Sequence, residues 1–343
     1  ELRVTKPIHI LDRSPSTVFF GNSRNNYSID PTTLEKDGFY NFSLTGIGMS
    51  EISQLFYHAT SAPNNQIKKA YITLDAICDS RASNFIDKRF LLSPTTSYSK
   101  VLLNKYTLYT TTNTLALSLL HTPEYAYINQ FGRQTIFNEG KYIAKGLGHS
   151  LQDREKISTR NYNPTKKKSK PSYISYQKKC KTQSLEQIID IAIEKKISLF
   201  FFYNPVNVRY WEIFHIKGNI NNILFNKKLA KQTLNRYKGT AIDIEAFDFR
   251  QLNSYTLERL SYKDKHKNHT YWYESSHYKK SLGDILMAAM TNTNPQDNTL
   301  FNDLLTSDVE ENHEHQLKLL NNWREDNLDI VAEILQTIAE KTK

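Results

Sequence analysis

Five short segments of this chain are mostly continuous rather than alternating in their β-branched and aromatic residues: residues 16–22, 39–45, 69–76, 197–204 and 240–247. A strand covered on one face alternates apolar and polar side chains, whereas a strand covered on both faces has no polar face to show. These runs are rich in β-branched and aromatic residues, and helix-period segments fall between several of them. That order predicts an α/β fold: a three-layer α/β/α sandwich around a five-stranded parallel sheet.

The intervening segments carry their own punctuation. In "SEISQLFYHAT", Ser50 is a candidate N-cap, and Ile52, Leu55, Phe56 and Ala59 share one helical face. "SLEQIIDIAIEKK" has capping-box spacing between Ser184 and Gln187, so a helix is expected to begin there. The apolar positions of residues 310–343 predict one or two terminal helices. The whole chain, 1–343, is expected to form a single domain, with an insertion at about 85–183 between the third and fourth strands. Its lysine-rich part, "NPTKKKSKPSYISYQKKCKT", is expected to be a solvated loop.

With 343 residues the chain can bury a sizeable core, and its 21 Tyr and 17 Phe argue against general disorder. A formal charge of +10 favours anionic partners, such as nucleic acid, acidic glycan or phospholipid headgroups, without choosing among them. The apolar run around "ISLFFFYNPV" is far too short to span a bilayer. Because the first residue is Glu1, a trimmed fragment is expected, with any signal or anchor upstream. Cys78 and Cys180 permit one disulfide in an oxidising compartment, or two buried thiols.

The first apolar run ends abruptly at Gly21-Asn22-Ser23-Arg24. A serine at the carboxyl edge of such a sheet stands where open α/β folds place their ligands. Serine needs a base to take its proton, and the base needs a partner that fixes its tautomer. "YWYESSHYKKSLGDILM" places Glu274 and His277 within one turn, so Ser23, His277 and Glu274 fill those roles in order. The histidines of "DKHKNH" and "ENHEH" lack a matching second cluster, so no metal is expected, and no phosphate-cradling glycine loop occurs.

Three of these blocks resemble the SGNH (GDSL-like) hydrolase superfamily, in its membrane-anchored extracytoplasmic branch related to polysaccharide O-acetylation and teichoic-acid D-alanylation. "GNSR" stands where that family has its nucleophile, "FYNFSLTGIGMSE" is similar to its second block, and "ESSHY" followed by "LGDIL" is similar to its Asp-x-x-His block, with Glu274 in place of Asp. The resemblance implies a flavodoxin-like strand order and an oxyanion hole formed by the N–H groups of Ser23 and Gly46. It also implies an Asn after the third strand, where this chain has Asp75. Arg24, Asn22 or Asn204 is a candidate substitute donor, and Asn22, Arg24, Asp75, Asn204, Asn207 and Arg209 are candidate cleft residues. Tyr203, Tyr210, Trp211, Tyr271 and Trp272 are candidates for stacking on sugar rings.

The function expected on this basis is a serine-dependent acyl esterase or O-acyltransferase, needing no cofactor, that acts on a cell-surface polysaccharide or teichoic-acid-like acceptor beside a membrane acyl-donor protein. Its expected location is extracytoplasmic, anchored near the membrane, with no nucleic-acid partner. The alternative is a non-catalytic glycan-binding or assembly component that keeps the hydrolase fold.

Overall fold

The computed structural model describes residues 2–34, 38–76, 78, 127–128, 133–135, 151–156, 171–264, 269–291 and 301–340. Helix α1 (Leu2–Arg13) leads into β1 (Thr17–Phe20), which turns into the short helix α2 (Ser23–Ser28). β2 (Phe39–Asn41), α3 (Met49–Thr60) and β3 (Lys69–Thr73) follow. Two-residue strands β4 (Tyr127–Ile128) and β5 (Gln134–Thr135) pair with each other apart from the main sheet. The chain continues through α4 (Pro171–Lys195), β6 (Ser198–Tyr203), α5 (Val208–Ile216), α6 (Asn221–Asn235) and β7 (Ile244–Asp248). It closes with α7 (Lys280–Thr291), β8 (Asn302–Asp303), α8 (Val309–Asp326) and α9 (Leu328–Ala339).

The main sheet has six strands in the order β2-β1-β3-β6-β7-β8. The first five are parallel, and β8 is antiparallel to β7. The fold is therefore α/β with a mixed, mostly parallel sheet. The sixth strand escapes a sequence reading because two residues make no pattern.

The near-continuous apolar strands serve two cores at once, since successive side chains point to opposite faces. Val18, Phe20, Ile72, Phe201 and Ala246 pack with α3, α4 and α6 on one face. Phe19, Tyr71, Phe202 and Phe247 pack with Leu282, Leu286 and Met290 of α7 on the other. Burying each large side chain stabilises the fold by about 1.5–3 kcal/mol before chain entropy is set against it. Those two layers hold the carboxyl edge of the sheet rigid.

Several boundaries differ from the sequence expectation. Helix α4 starts at Pro171, so Ser184 lies mid-helix, buried beside Gln187, which accepts from Ser53 of α3 at 3.0 Å. No Gly or Pro interrupts residues 172–195, and Pro suits a first helical turn, so residues 171–182 of the lysine-rich stretch are helical rather than a loop, while its residues 163–170 lie outside the described residues. Residues 42–44 leave the ladder but still track β1, through Phe42 N–H to Phe19 O at 2.8 Å and Leu44 N–H to Gly21 O at 2.9 Å. Most of the expected insertion, like His266, lies outside the described residues. Cys78 and Cys180 form a disulfide that ties the segment after β3 to α4. Among the described residues no helix is long and apolar enough to cross a membrane.

Candidate active site

The turn after β1 is built by two small adjustments. A side chain at Gly21 would meet Asn25 Oδ1 at 2.2 Å, so glycine lets α2 fold back over the strand end. Asn22 then caps α2, its Oδ1 accepting the Arg24 N–H at 3.0 Å. This leaves Ser23 as the first helical residue, at the carboxyl end of β1. The sheet order reverses between β1 and β3, and open α/β sheets form their crevices outside the strand ends at such a reversal.

The second half of the site arrives from 254 residues away. Residues 273–277 form a tight loop, closed by Tyr273 N–H to His277 O at 3.0 Å and flanked by a bridge between Trp272 and Tyr278. Its position is fixed by α7, which packs so closely on α2 that a side chain at Gly283 would meet Ser28 O at 2.1 Å. Ser28 Oγ also donates to Tyr278 O. His277 thereby reaches the start of α2, with Nε2 at 2.8 Å from Ser23 Oγ.

Glu274 contacts His277 Nδ1 closely from the other side. Burial opposes ionisation of Glu274, but His277, the Arg154 guanidinium and the Ser276 N–H outweigh it and hold its pKa below the ordinary carboxylate value. An ionised carboxylate can only accept, so Nδ1 carries the proton and Nε2 accepts from the Ser23 hydroxyl. Ser276 reinforces the pair: its N–H and Oγ donate to Glu274 at 2.8 and 3.0 Å. Arg154 donates to Ser276 Oγ at 3.1 Å and stands 3.8 Å from Glu274.

Arg24 and Asp75 form the next layer. Arg24 donates to Ser276 O at 2.8 Å and pairs with Asp75 at 2.6 Å, and Arg250 pairs with the same carboxylate oxygen at 3.0 Å. Burial would raise the Asp75 pKa, but the two guanidinium groups and hydrogen bonds from Thr73 and Asn204 lower it. Asp75 is therefore an ionised carboxylate whose charge is already balanced. Gly46 stands in an exposed turn after β2 with φ +67°. The preceding Thr45 reaches α2, its Oγ1 accepting from Asn26 and approaching the Tyr27 hydroxyl. Among the described residues the N–H groups of Ser23 and Gly46 meet no acceptor.

Four of the expected cleft residues have other duties. Asn22 is engaged as the cap and donates to Asp75 at 3.3 Å. Asn204 is fully buried, with its Nδ2 on Asn25, Thr73 and Asp75 and its Oδ1 on Asn25 and Tyr278, so it has no donor to turn toward an oxyanion. Asn207 is buried, caps α5 and donates to Glu258 O at 2.8 Å. Arg209 is buried too, bidentate on Glu155 at 2.7 and 2.8 Å and paired with Glu333 at 3.0 Å. A guanidinium stripped of water needs such partners, which is why Arg209 serves as a tie among three segments and not as a cleft residue. Of the expected stacking aromatics, Tyr203, Trp211 and Trp272 are buried in the core.

Arg154, Ser276 and Arg250 were missed by sequence reasoning. Arg250 had a signal: it follows the apolar strand "IEAFDF" as Arg24 follows "TVFF". Arg154 had none, because its segment shows no strand pattern and meets the site only through the fold. No group of three or more potential metal ligands occurs among the described residues. Compared with family models, curated proteins and solved structures, the chain matches none.

Proposed function

We propose that the protein is a serine-dependent acyl esterase or O-acyltransferase. The observation that carries this reading is the line Ser23 Oγ, His277 Nε2, His277 Nδ1, Glu274, with 2.8 Å at its first step. In the reaction Ser23 Oγ attacks the acyl carbonyl while Nε2 takes its proton, and Glu274 stabilises the imidazolium that forms. The N–H groups of Ser23 and Gly46 are the candidate donors to the tetrahedral oxyanion. His277 returns the proton to the leaving oxygen as the C–O bond breaks, leaving an acyl-Ser23 ester. Water or a sugar hydroxyl then attacks that ester with His277 as base, which releases an acid or an acylated sugar and restores the serine.

The strand order of the five parallel strands and the blocks at Gly21–Arg24 and Glu274–His277 support membership of the SGNH-like hydrolases. That resemblance supports an envelope glycan or teichoic-acid-like acceptor and a partnership with a membrane acyl donor. The disulfide supports an oxidising, extracytoplasmic location. The replacement of the family's third-block Asn by Asp75 favours a second reading, a glycan-holding component without turnover. A fluorophosphonate probe separates the two: the enzyme labels at Ser23 and Ser23→Ala does not, whereas labelling that ignores the substitution, or no labelling, leaves the binding component.

A further inference from the structure

Beyond Arg24 lies a cleft of about 580 Å³ that neither Ser23 nor His277 lines. One wall carries Arg24, Arg250 and Lys181 with a single carboxylate, Asp75. Asp75 is shared between the two arginines, so the wall keeps a positive surplus. Arg250 uses one terminal nitrogen on Asp75, and its buried Nε meets no acceptor among the described residues. Lys181 is turned into the cleft by Leu74 O at 3.2 Å and Asn226 Oδ1 at 2.8 Å. Burial is the largest influence on its ammonium and brings it down to about 8, so a bound anion would strengthen its charged form.

Much of the remaining lining comes from α5, α6 and the turn between them. It presents Tyr210, Phe214 and the exposed ring of Phe225, with Asn219, Asn221 and Asn222 at the start of the 15-residue helix α6. A cation-rich wall alone would suit any anion. Combined in one cleft with aromatic rings and amide side chains, it suits an anion carried on a hydroxylated ring: guanidinium groups fork onto a carboxylate, aromatic rings cover the apolar face of a sugar, and amides satisfy its hydroxyls. A linear polyol phosphate has no ring to cover.

We infer that this cleft is the acceptor subsite and holds a uronic-acid residue of an acidic glycan, its carboxylate on Arg250 and Lys181 and its ring against Phe225 and Tyr210. The acceptor role rests on the acyl-transfer reading; the binding does not. Arg24 belongs to both places, lining the cleft and holding the backbone beside His277, so a sugar seated here meets the side chain that also braces the serine–histidine pair.

The test is titration calorimetry on the full chain with a hexauronate, a carboxyl-reduced neutral hexamer of the same linkage, and a glycerol-phosphate oligomer. The hexauronate should bind at least about tenfold more tightly than either comparator. Phe225→Ala and Asn222→Asp, both at exposed positions, should each weaken it by about tenfold at unchanged melting temperature. Equal binding of the neutral hexamer, tighter binding of the phosphate oligomer, or indifference to both substitutions overturns the assignment. Hexauronate binding without Ser23 labelling removes the acyl chemistry and keeps the cleft; labelling without binding does the reverse.

Discussion

Arg24 Nε donates to Ser276 O at 2.8 Å, joining the residue after the candidate nucleophile to the residue before its base across 252 positions of sequence. The same guanidinium holds Asp75 at the end of the third strand. One side chain therefore sets the separation of Ser23 and His277 and anchors both to the sheet edge. Removing it loosens the site and leaves a buried carboxylate with one partner fewer. Arg24→Met should lower the unfolding free energy by about 2–3 kcal/mol in chemical denaturation, because a charge-assisted bond is lost. It should also slow fluorophosphonate labelling of Ser23.

In the proposed reaction Glu274 acts through His277. Glu274→Gln keeps the shape but removes the charge that fixes the tautomer and stabilises the imidazolium. Esterase kcat should fall by about 10³-fold with little change in KM. A KM effect with kcat preserved would instead assign Glu274 a role in binding.

Asp75 and Glu274 both have depressed pKa values in the folded chain. A carboxylate of this kind stabilises the fold fully above its unfolded pKa, and that contribution is lost as pH falls through the folded pKa. Unfolding free energy should therefore decline below about pH 4, where unfolded carboxylates begin to take up protons. Asp75→Asn should be less stable at neutral pH and show a shallower acid decline, measured by urea unfolding at a series of pH values.

Gly283 lets α7 approach the backbone of α2. Gly283→Ala drives a Cβ against Ser28 O, a backbone atom that cannot swing aside, and should cost about 1–3 kcal/mol as overpacking does. Since α7 follows His277 almost directly, the labelling rate of Ser23 should fall even in the folded fraction, which a stopped-time probe experiment resolves.

The disulfide closes a loop of 102 residues. On the chain-entropy view such a crosslink stabilises by about 4–5 kcal/mol, so reductant or the Cys78→Ser and Cys180→Ser pair should lower the melting temperature markedly. An unchanged melting curve would mean that the bond contributes nothing to the fold.

The layered architecture was legible because both faces of the strands are buried, which erased the alternation in "TVFF" and "SLFFFY" and left a pattern few other folds produce. Ser23, His277 and Glu274 were legible for a related reason: they stand beside strand and helix boundaries that the apolar pattern itself marks. Asn204, Asn207 and Arg209 were misjudged because sequence shows that a polar residue follows a strand but not whether a partner waits inside. Glu155 and Glu333, which bury Arg209, are 54 and 124 positions away from it. The same distance hid Arg154, and Ser184 misled because a capping-box spacing carries no weight inside a helix that nothing interrupts.

Acylation of Ser23 is the step on which the proposed function turns, and intact-protein mass spectrometry after mixing with an activated acetyl ester observes it directly. A single acetyl adduct should form quickly, map to the peptide containing Ser23, decay by hydrolysis or faster on addition of a sugar acceptor, and be absent from Ser23→Ala and strongly slowed in His277→Ala. An adduct that forms at the same rate without His277, or that maps to another residue, would show that the serine and the histidine, though in hydrogen-bond contact, do no acyl chemistry together.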